Sequence, residues 1–270
     1  MPSASDTATH GSPPATAPAR PRTLVTGAGR GIGATVAARL AAQGHRLALT
    51  ARSTDELEHV ASELPDGTDV LVLPDDLMDP AAPSRLVKAV EDAWGGLDVL
   101  VCNAGAGVSA SLAKTSDEDW QRMLDLNLTA PFRLLRGAVP GMVDRGWGRI
   151  VVVASVAAKV GEPYIAAYVA SKHGVLGLVR AAAAELARTG VTVNAVCPGY
   201  VDTPMTDATV RGIAEKTGRT EAEARRILEH KQPTGRLVTT DEVAEAVWAC
   251  VANPGITGQG INVDGGAVQS

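Results

Sequence analysis

Three polar side chains near the middle of the chain have the types and the spacing needed to move a proton. Ser155 ends a predicted strand, RIVVVAS, and Tyr168 and Lys172 lie on the predicted helix that follows. Because four residues make about one helical turn, the phenol and the ammonium share one helix face. An ordinary phenol has a pKa of about 10, and a nearby ammonium that lowers it to about 8 supplies about 2.7 kcal/mol. We therefore predict that Tyr168 exchanges a proton with a substrate oxygen that Ser155 binds by a hydrogen bond.

A fourth polar residue, Asn127, precedes a proline by four positions. Pro131 has no N–H to bond the carbonyl of Asn127, so the predicted helix over 117–143 should kink there. The freed carbonyl could hold an ordered water that passes protons to Lys172. The alternative is a plain proline kink with Asn127 on the surface, and Asn127 alone favours that alternative.

A glycine-rich turn joins the first predicted strand to the first predicted helix. Its sequence is TGAGRGIG over 26–33, which follows the pattern TGxxxGxG and not GxGxxG, since Ile32 takes the last place of the latter. Glycines let the backbone turn sharply and approach a pyrophosphate, whose charge the helix amino end stabilises. We predict a dinucleotide site whose contacts include Gly27, Gly29, Arg30, Gly31, Ile32 and Gly33.

The end of the second predicted strand indicates which nucleotide binds. An NAD site needs a carboxylate there for the ribose 2′-hydroxyl, whereas this chain has Arg52 and Ser53 and no acid before Asp55. Arg52, together with Arg30, could instead bind a 2′-phosphate through charge-assisted hydrogen bonds. The pattern favours NADP over NAD, and the alternative is that both arginines are solvated surface residues.

Two further strand ends complete the predicted nucleotide site. Asp76 and Leu77 follow the third strand and should face the adenine. Asn103, Ala104 and Gly105 follow the fourth strand, where small residues would let the backbone lie close to the adenosine ribose. No metal site is predicted.

Short apolar runs alternate with longer helical patterns from Thr23 onward. The pattern predicts an α/β fold with a single Rossmann-like domain over 22–270, in which a doubly wound, seven-stranded parallel sheet has helices on both faces. Ligands bind such sheets at the carboxyl ends of the strands, which is where the residues above fall. Residues 1–21 are rich in Pro, Ala, Ser and Thr, so we predict a disordered tail.

Composition excludes several classes of function. The net charge is −5 with acids and bases interspersed, which argues against a nucleic-acid surface. No apolar run approaches the ~20 residues that span a bilayer, and the start lacks a signal pattern. Three cysteines without CxxC spacing fit a reduced, cytoplasmic setting.

The motifs TGAGRGIG, CNAG, YVASK and CPGYVDT, with Asn127 and Ser155, resemble those of classical short-chain dehydrogenases/reductases from Thr23 to the end. The resemblance implies a catalytic tetrad of Asn127, Ser155, Tyr168 and Lys172. It also implies that Tyr168 and Lys172 meet the ribose hydroxyls, and that the loop with Pro198, Gly199, Val201 and Thr203 holds the nicotinamide carboxamide. A homotetramer is the family expectation. CNAG departs from the commoner NNAG at Cys102, which we expect to be tolerated.

The segment ELARTGVTVNAVCPGYVDTPM is similar to type II polyketide ketoreductases and β-ketoacyl thioester reductases. Residues 204–236 are predicted to form a substrate lid, and Thr220 to Glu223 a capping box. The lid's basic residues could meet the phosphates of coenzyme A or an acyl-carrier arm, although an ordinary solvated helix is favoured. The predicted pocket walls are Val108, Val156, Val160, Tyr164, Tyr200 and Met205.

The leading hypothesis is an NADPH-dependent reductase of a ketone or β-ketoacyl thioester, with a small-molecule carbonyl substrate. Two alternatives stay open. One is a secondary-alcohol (3-hydroxyacyl) dehydrogenase that works oxidatively. The other is a non-catalytic NADP-binding regulator, which fold alone never excludes.

Overall fold

The computed structural model describes residues 16–269, which form one seven-stranded parallel sheet in the order β3-β2-β1-β4-β5-β6-β7. The chain starts at β1 in the middle of the sheet, builds outward to β3, and then returns to β4 on the other side of β1. This reversal lies between β1 and β4 and opens a crevice at the carboxyl ends of those strands. The predicted fold class is confirmed.

The strands are short and mostly buried. They are β1 (Arg22–Thr26), β2 (Arg46–Thr50), β3 (Val70–Val72), β4 (Val99–Cys102), β5 (Gly148–Val153), β6 (Val191–Pro198) and β7 (Gly260–Val263). The α-helices are α1 (Gly31–Ala41), α2 (Thr54–Ser62), α3 (Ala82–Trp94), α4 (Asp117–Leu124), α5 (Ala130–Asp144), α6 (Ala166–Leu186), α7 (Pro204–Thr217), α8 (Glu221–His230) and α9 (Thr240–Ala252).

Two apolar layers cover the two faces of the sheet. On one face α3, α5 and α6 pack residues such as Leu86, Leu134 and Leu176 against the strands. On the other face α1, α2 and α9 contribute residues such as Leu40 and Val247. Because both faces are covered, the central strands read as continuous apolar runs instead of alternating ones. The site residues described below therefore emerge from a rigid, doubly packed sheet.

The predicted kink before Pro131 is a change of helix type. Residues Asp125–Thr129 form a π-helical turn between α4 and α5, and the N–H of Ala130 bonds the carbonyl of Asp125. A π turn is one way for a helix to accommodate a residue that cannot donate in the regular ladder. Asn127 lies within this turn and is 1% exposed, so the alternative of a surface Asn127 was wrong. The ordered water stays a prediction.

Helices α7 and α8 occupy the predicted lid segment and share a small apolar cluster of their own. Val210 of α7 packs with Ala224 and Leu228 of α8 and with Leu237 beyond it. Thr220 accepts from the N–H of Glu223 while the Glu223 carboxylate accepts from the N–H of Thr220, which is the predicted capping box.

The last residue of the predicted tail packs against the sheet domain. Pro21 is buried, and its carbonyl accepts a 2.9 Å hydrogen bond from Arg46. Residues 1–15 of the predicted tail lie outside the described residues. Within residues 16–269, no helix is long and apolar enough to cross a membrane.

Candidate active site

A crevice of about 660 Å³ runs along the carboxyl edge of the sheet, where the segments that follow β1 to β6 meet. One end of the crevice is lined by the segment after β2, and the other by Ser155 and the start of α6. Its size suits a ligand of dinucleotide class. The crevice therefore joins the predicted nucleotide residues to the predicted proton-transfer residues.

The glycine turn after β1 is shaped by close backbone approaches. Gly27 has a φ of +64°, and a Cβ on Gly33 would lie 2.1 Å from the carbonyl oxygen of Gly27. No side chain fits at Gly33, so α1 can start directly beneath the turn. The Asn103 amide after β4 donates 3.0 Å hydrogen bonds to the carbonyls of Thr26 and Gly27. Asn103 thus fixes the turn's shape from the neighbouring strand.

Ser155, Tyr168 and Lys172 all line the other end of the crevice. The Ser155 hydroxyl lies near the Tyr168 phenol and favours its ionised form. The Lys172 ammonium lies 5.6 Å from the centre of the Tyr168 ring and donates a 3.0 Å hydrogen bond to the carbonyl of Val153. The structure therefore brings Ser155, which follows β5, together with Tyr168 and Lys172 of α6, as the sequence predicts.

The pKa values differ from the prediction in one respect. Burial raises the pKa of Tyr168 from its ordinary value, and the neighbouring Ser155 hydroxyl opposes this rise only in part. Burial also lowers the pKa of Lys172 from 10.5 to about 8. The predicted net lowering of the Tyr168 pKa was wrong for this structure, because desolvation of the phenolate outweighs the contacts that stabilise it.

The side chain of Asn127 is fully used in tying three elements together. Its Oδ1 accepts from the N–H of Ala106, and its Nδ2 donates to the Ala106 carbonyl and to Ser171 Oγ at 3.0 and 3.1 Å. Ser171 in turn donates a 2.7 Å hydrogen bond to the carbonyl of Tyr168. Asn127 therefore holds the loop after β4 against the first turns of α6, where Tyr168 and Lys172 lie.

Charged side chains surround the crevice end near β2. The exposed Arg52 lines the crevice beside Ser53, whose Oγ caps α2 by accepting from the N–H of Glu56. Arg30, from the glycine turn, forms a 3.1 Å ion pair with Glu56. Glu56 was not among the predicted site residues. Its position three residues after the capping Ser53 was a signal in the sequence that its side chain lies at the start of α2, near the crevice.

The matching family model is that of the short chain dehydrogenases, over residues 22–213. A curated protein of Streptomyces violaceoruber named "Granaticin polyketide synthase putative ketoacyl reductase 1" is 42% identical over 265 residues, covering 96% of this chain and 97% of that protein. The D-beta-hydroxybutyrate dehydrogenase of Rhizobium meliloti is 37% identical over 250 residues, which cover 90% of this chain and 96% of that protein. A crystal structure of a variant of actinorhodin polyketide ketoreductase with NADPH has a TM-score of 0.88 and 39% identity, covering 92% of this chain and 97% of that one.

The chain belongs to the short-chain dehydrogenase family. It is therefore an NAD(P)-dependent oxidoreductase, and the crevice has the features that a nicotinamide dinucleotide requires. The main chain of Gly27, Gly29 and Gly31 lines the crevice directly at the start of α1, and Gly27 and Gly31 have φ values of +64° and +55°. Such positions let a ligand lie against the main chain, so the residues present fit the cofactor.

The crevice of this short-chain dehydrogenase contains every predicted cofactor residue except Gly33, which serves the packing of α1 instead. Among the predicted substrate walls, Met205 lines the crevice, whereas the other five lie outside its lining. Tyr164 is 66% exposed and has a φ of +69°, the one positive φ of a non-glycine residue within residues 16–269. These five walls stay a prediction.

Contacts that the sequence did not indicate connect the predicted lid segment to the loops after β5 and β6. The Tyr200 hydroxyl donates a 2.9 Å hydrogen bond to Glu162, which lies in the loop between β5 and α6. Lys231, directly after α8, forms an ion pair with the same carboxylate. Burial raises the pKa of Tyr200, and the adjacent Glu162 raises it further. Since Glu162 and Lys231 are 69 positions apart, periodicity could not reveal this pair.

Proposed function

We propose that this chain reduces a ketone or β-ketoacyl carbonyl to a secondary alcohol, with hydride from NADPH and a proton from Tyr168. The observation that best supports this proposal is that Ser155, Tyr168 and Lys172 line the same crevice as the glycine turn. A phenol that keeps its proton at neutral pH is suited to donating it. The raised pKa of Tyr168 is therefore compatible with the reductive direction.

In the proposed reaction, Ser155 and Tyr168 hold the carbonyl oxygen by hydrogen bonds. A nicotinamide dinucleotide held along the glycine turn and the loop after β6 would supply the hydride that the carbonyl carbon receives. As charge develops on the oxygen, Tyr168 gives up its hydroxyl proton, and the buried Lys172 ammonium stabilises the phenolate left behind. Asn127 acts indirectly, since its hydrogen bonds to Ala106 and Ser171 position the loop and the helix.

NADP(H) is the proposed cofactor in preference to NAD(H). Arg52 lines the crevice end near β2, and within residues 16–269 it forms no ion pair, so its guanidinium can bind a 2′-phosphate. The actinorhodin ketoreductase structure with NADPH supports the same choice.

The proposed substrate is a β-ketoacyl group, free or carried on coenzyme A or an acyl carrier protein. Support comes from the ketoacyl reductase named among the relatives. We further propose a homotetramer, with which the exposed Trp120 on α4 and Phe132 on α5 are compatible. A cytoplasmic location stays part of the proposal.

A second candidate function is the oxidation of a 3-hydroxy acid or its derivative. The relative that favours it is the D-beta-hydroxybutyrate dehydrogenase. In that direction Tyr168 would have to accept a proton, and only its phenolate form can do so. Because the pKa of Tyr168 is raised, this form is populated only at alkaline pH.

A substrate panel tests the proposed function. Ketones, β-ketoacyl thioesters and free β-keto acids are each offered with NADPH and with NADH, and the corresponding alcohols with NADP and with NAD. We expect the highest kcat/KM for a neutral ketone or thioester with NADPH. A highest value for a 3-hydroxy acid with NAD at neutral pH would instead support the second candidate.

A further inference from the structure

The ion pair between Arg30 and Glu56 occupies the part of the crevice where the proposed function puts the 2′-phosphate. Arg30 Nη1 and Glu56 Oε1 are 3.1 Å apart, and both residues line the crevice together with Arg52 and Ser53. One of the two arginines available to a phosphate is therefore already bound to a carboxylate.

The place of Glu56 is fixed by the backbone. It is the third residue of α2, and its N–H donates to the capping Ser53 Oγ at 3.3 Å. A Cβ on Gly29 would lie 2.9 Å from Glu56 Oε2 and 3.0 Å from Glu56 Cβ. The carboxylate thus lies directly over the glycine turn, where a substitution at Gly29 would collide with it.

Other charges at this end are either neutralised or free. Asp75 also lines the crevice, but it pairs with Arg85 at 2.8 Å. Asp76 lines the crevice without an ion pair in the described part of the chain, and Arg52 is likewise unpaired there. Glu56 is therefore the acid that engages an arginine of the predicted phosphate site.

We propose that Glu56 is a specificity-determining residue that competes with the 2′-phosphate of NADP(H) for Arg30 and so narrows the preference over NAD(H). This inference rests on the proposed function for the choice of cofactor. A phosphate carries close to two negative charges, so Glu56 both repels it and withholds Arg30 from it. NAD(H) has a hydroxyl at that position and leaves the ion pair intact.

The size of the effect follows from the exposure of the pair. The Arg30 and Glu56 side chains are 65% and 39% exposed, so water screens their attraction. We expect Glu56→Gln to tighten NADPH binding about three- to tenfold and to change NADH binding less than about twofold.

Equilibrium titrations that follow nucleotide fluorescence test the inference through binding alone, without catalysis. The dissociation constants of NADPH and NADH are compared for the unaltered protein, Glu56→Gln and Glu58→Gln. Glu58 is on the same helix but exposed and outside the crevice, so it controls for the loss of one negative charge. Glu58→Gln should leave both constants within about twofold, as expected for a screened surface charge.

A second pair of variants tests whether Arg30 is the group competed for. In an Arg30→Met background, the same Glu56→Gln change should tighten NADPH binding less than it does in the unaltered protein, because it relieves only the direct repulsion and releases no arginine. A full effect in that background would overturn the competition for Arg30. Equal tightening of NADPH and NADH, no change, or weaker NADPH binding in Glu56→Gln would overturn the inference altogether.

These outcomes are separable from failure of the proposed function. If the unaltered protein prefers NADH and Glu56→Gln alone shifts it toward NADPH, the proposed NADPH preference is contradicted while the role of Glu56 is supported. If NADPH is preferred and Glu56→Gln has no effect, the proposed cofactor stands and the role of Glu56 is refuted.

Discussion

The Lys172 ammonium donates a 3.0 Å hydrogen bond to the backbone carbonyl of Val153, the last residue of β5. This contact anchors the ammonium between the end of the strand and the first turns of α6. Lys172 is only 5% exposed, and no acidic partner for it is found in the described part of the chain. A buried cation held by a carbonyl alone is costly, which is why the pKa of Lys172 falls to about 8.

Replacing Lys172 should stabilise the protein while it removes the activity. The folded protein binds the Lys172 proton more weakly than the unfolded chain, whose lysine has a pKa of 10.5. The resulting penalty, at most about 3 kcal/mol, is complete below about pH 8 and disappears as the pH rises toward 10.5. We expect Lys172→Met to raise the free energy of unfolding by about 1–3 kcal/mol at neutral pH.

Urea unfolding at neutral and at alkaline pH measures this effect, with an exposed lysine, Lys88→Met, as the control. The gain should shrink at alkaline pH for Lys172→Met and be absent for Lys88→Met. A less stable Lys172→Met protein at neutral pH would show that the Val153 contact outweighs the burial cost.

Arg52→Ala should weaken NADPH binding by about tenfold or more and leave NADH binding within about twofold. A charge-assisted hydrogen bond to a phosphate is worth about 1.5–3 kcal/mol, and the 2′-hydroxyl of NADH offers no anion to bind. Dissociation constants from fluorescence titration give the ratio. Equal weakening of both nucleotides would contradict the assignment of Arg52 to the 2′-phosphate.

The nucleotide end of the site could be predicted because local sequence determines it. The turn over 26–33 and the residues that follow β2, β3 and β4 lie next to their strands, and parallel strands bring their carboxyl ends to one edge. Only Gly33 differs, since a Cβ there would meet the Gly27 carbonyl and not the ligand. Tight backbone approaches of this kind depend on three-dimensional packing.

Alanine substitutions at two glycines distinguish the effect of backbone crowding from that of helix propensity. Gly33→Ala should abolish nucleotide binding and lower the melting temperature, because its Cβ would lie 2.1 Å from the Gly27 carbonyl oxygen. Gly177→Ala, on the exposed side of α6, meets no atom of residues 16–269 within 4 Å and should stabilise by about 0.5–1 kcal/mol. Thermal unfolding with and without NADPH compares them. Normal nucleotide binding by Gly33→Ala would contradict the described turn.

His45 should make the protein sensitive to mild acid. It is 3% exposed, its Nδ1 is 2.7 Å from Thr23 Oγ1, and burial lowers its pKa to about 4. Between about pH 6.5 and pH 4 this histidine is protonated in the unfolded chain but neutral in the folded protein. The free energy of unfolding therefore decreases as the pH is lowered through that range. The loss attributable to His45 is at most about 3 kcal/mol.

His45→Asn should remove this part of the acid sensitivity, whereas His173→Asn, on the exposed side of α6, should not. Free energies of unfolding at several pH values between 4 and 7 give the comparison. The same slope in the unaltered protein and in His45→Asn would rule out His45 as its source.

The substrate end was predicted less completely because long-range contacts shape it. Tyr200 follows β6, but its surroundings depend on Glu162 in the loop after β5 and on Lys231 after α8. The burial of Asn127 also depends on a partner 44 positions away, Ser171. The shift of the Tyr168 pKa was predicted in the wrong direction, because the sequence shows the neighbouring lysine but not how deeply the phenol is buried.

The most direct test of the central claim is single-turnover reduction by Tyr168→Phe preloaded with NADPH, using the best substrate of the panel. We expect an unchanged NADPH dissociation constant and a rate of NADPH oxidation at least about 10³-fold lower, since the variant keeps the ring but has no proton to give. NADPH oxidation by Tyr168→Phe at a rate within about tenfold of the unaltered protein would contradict Tyr168 as the proton donor.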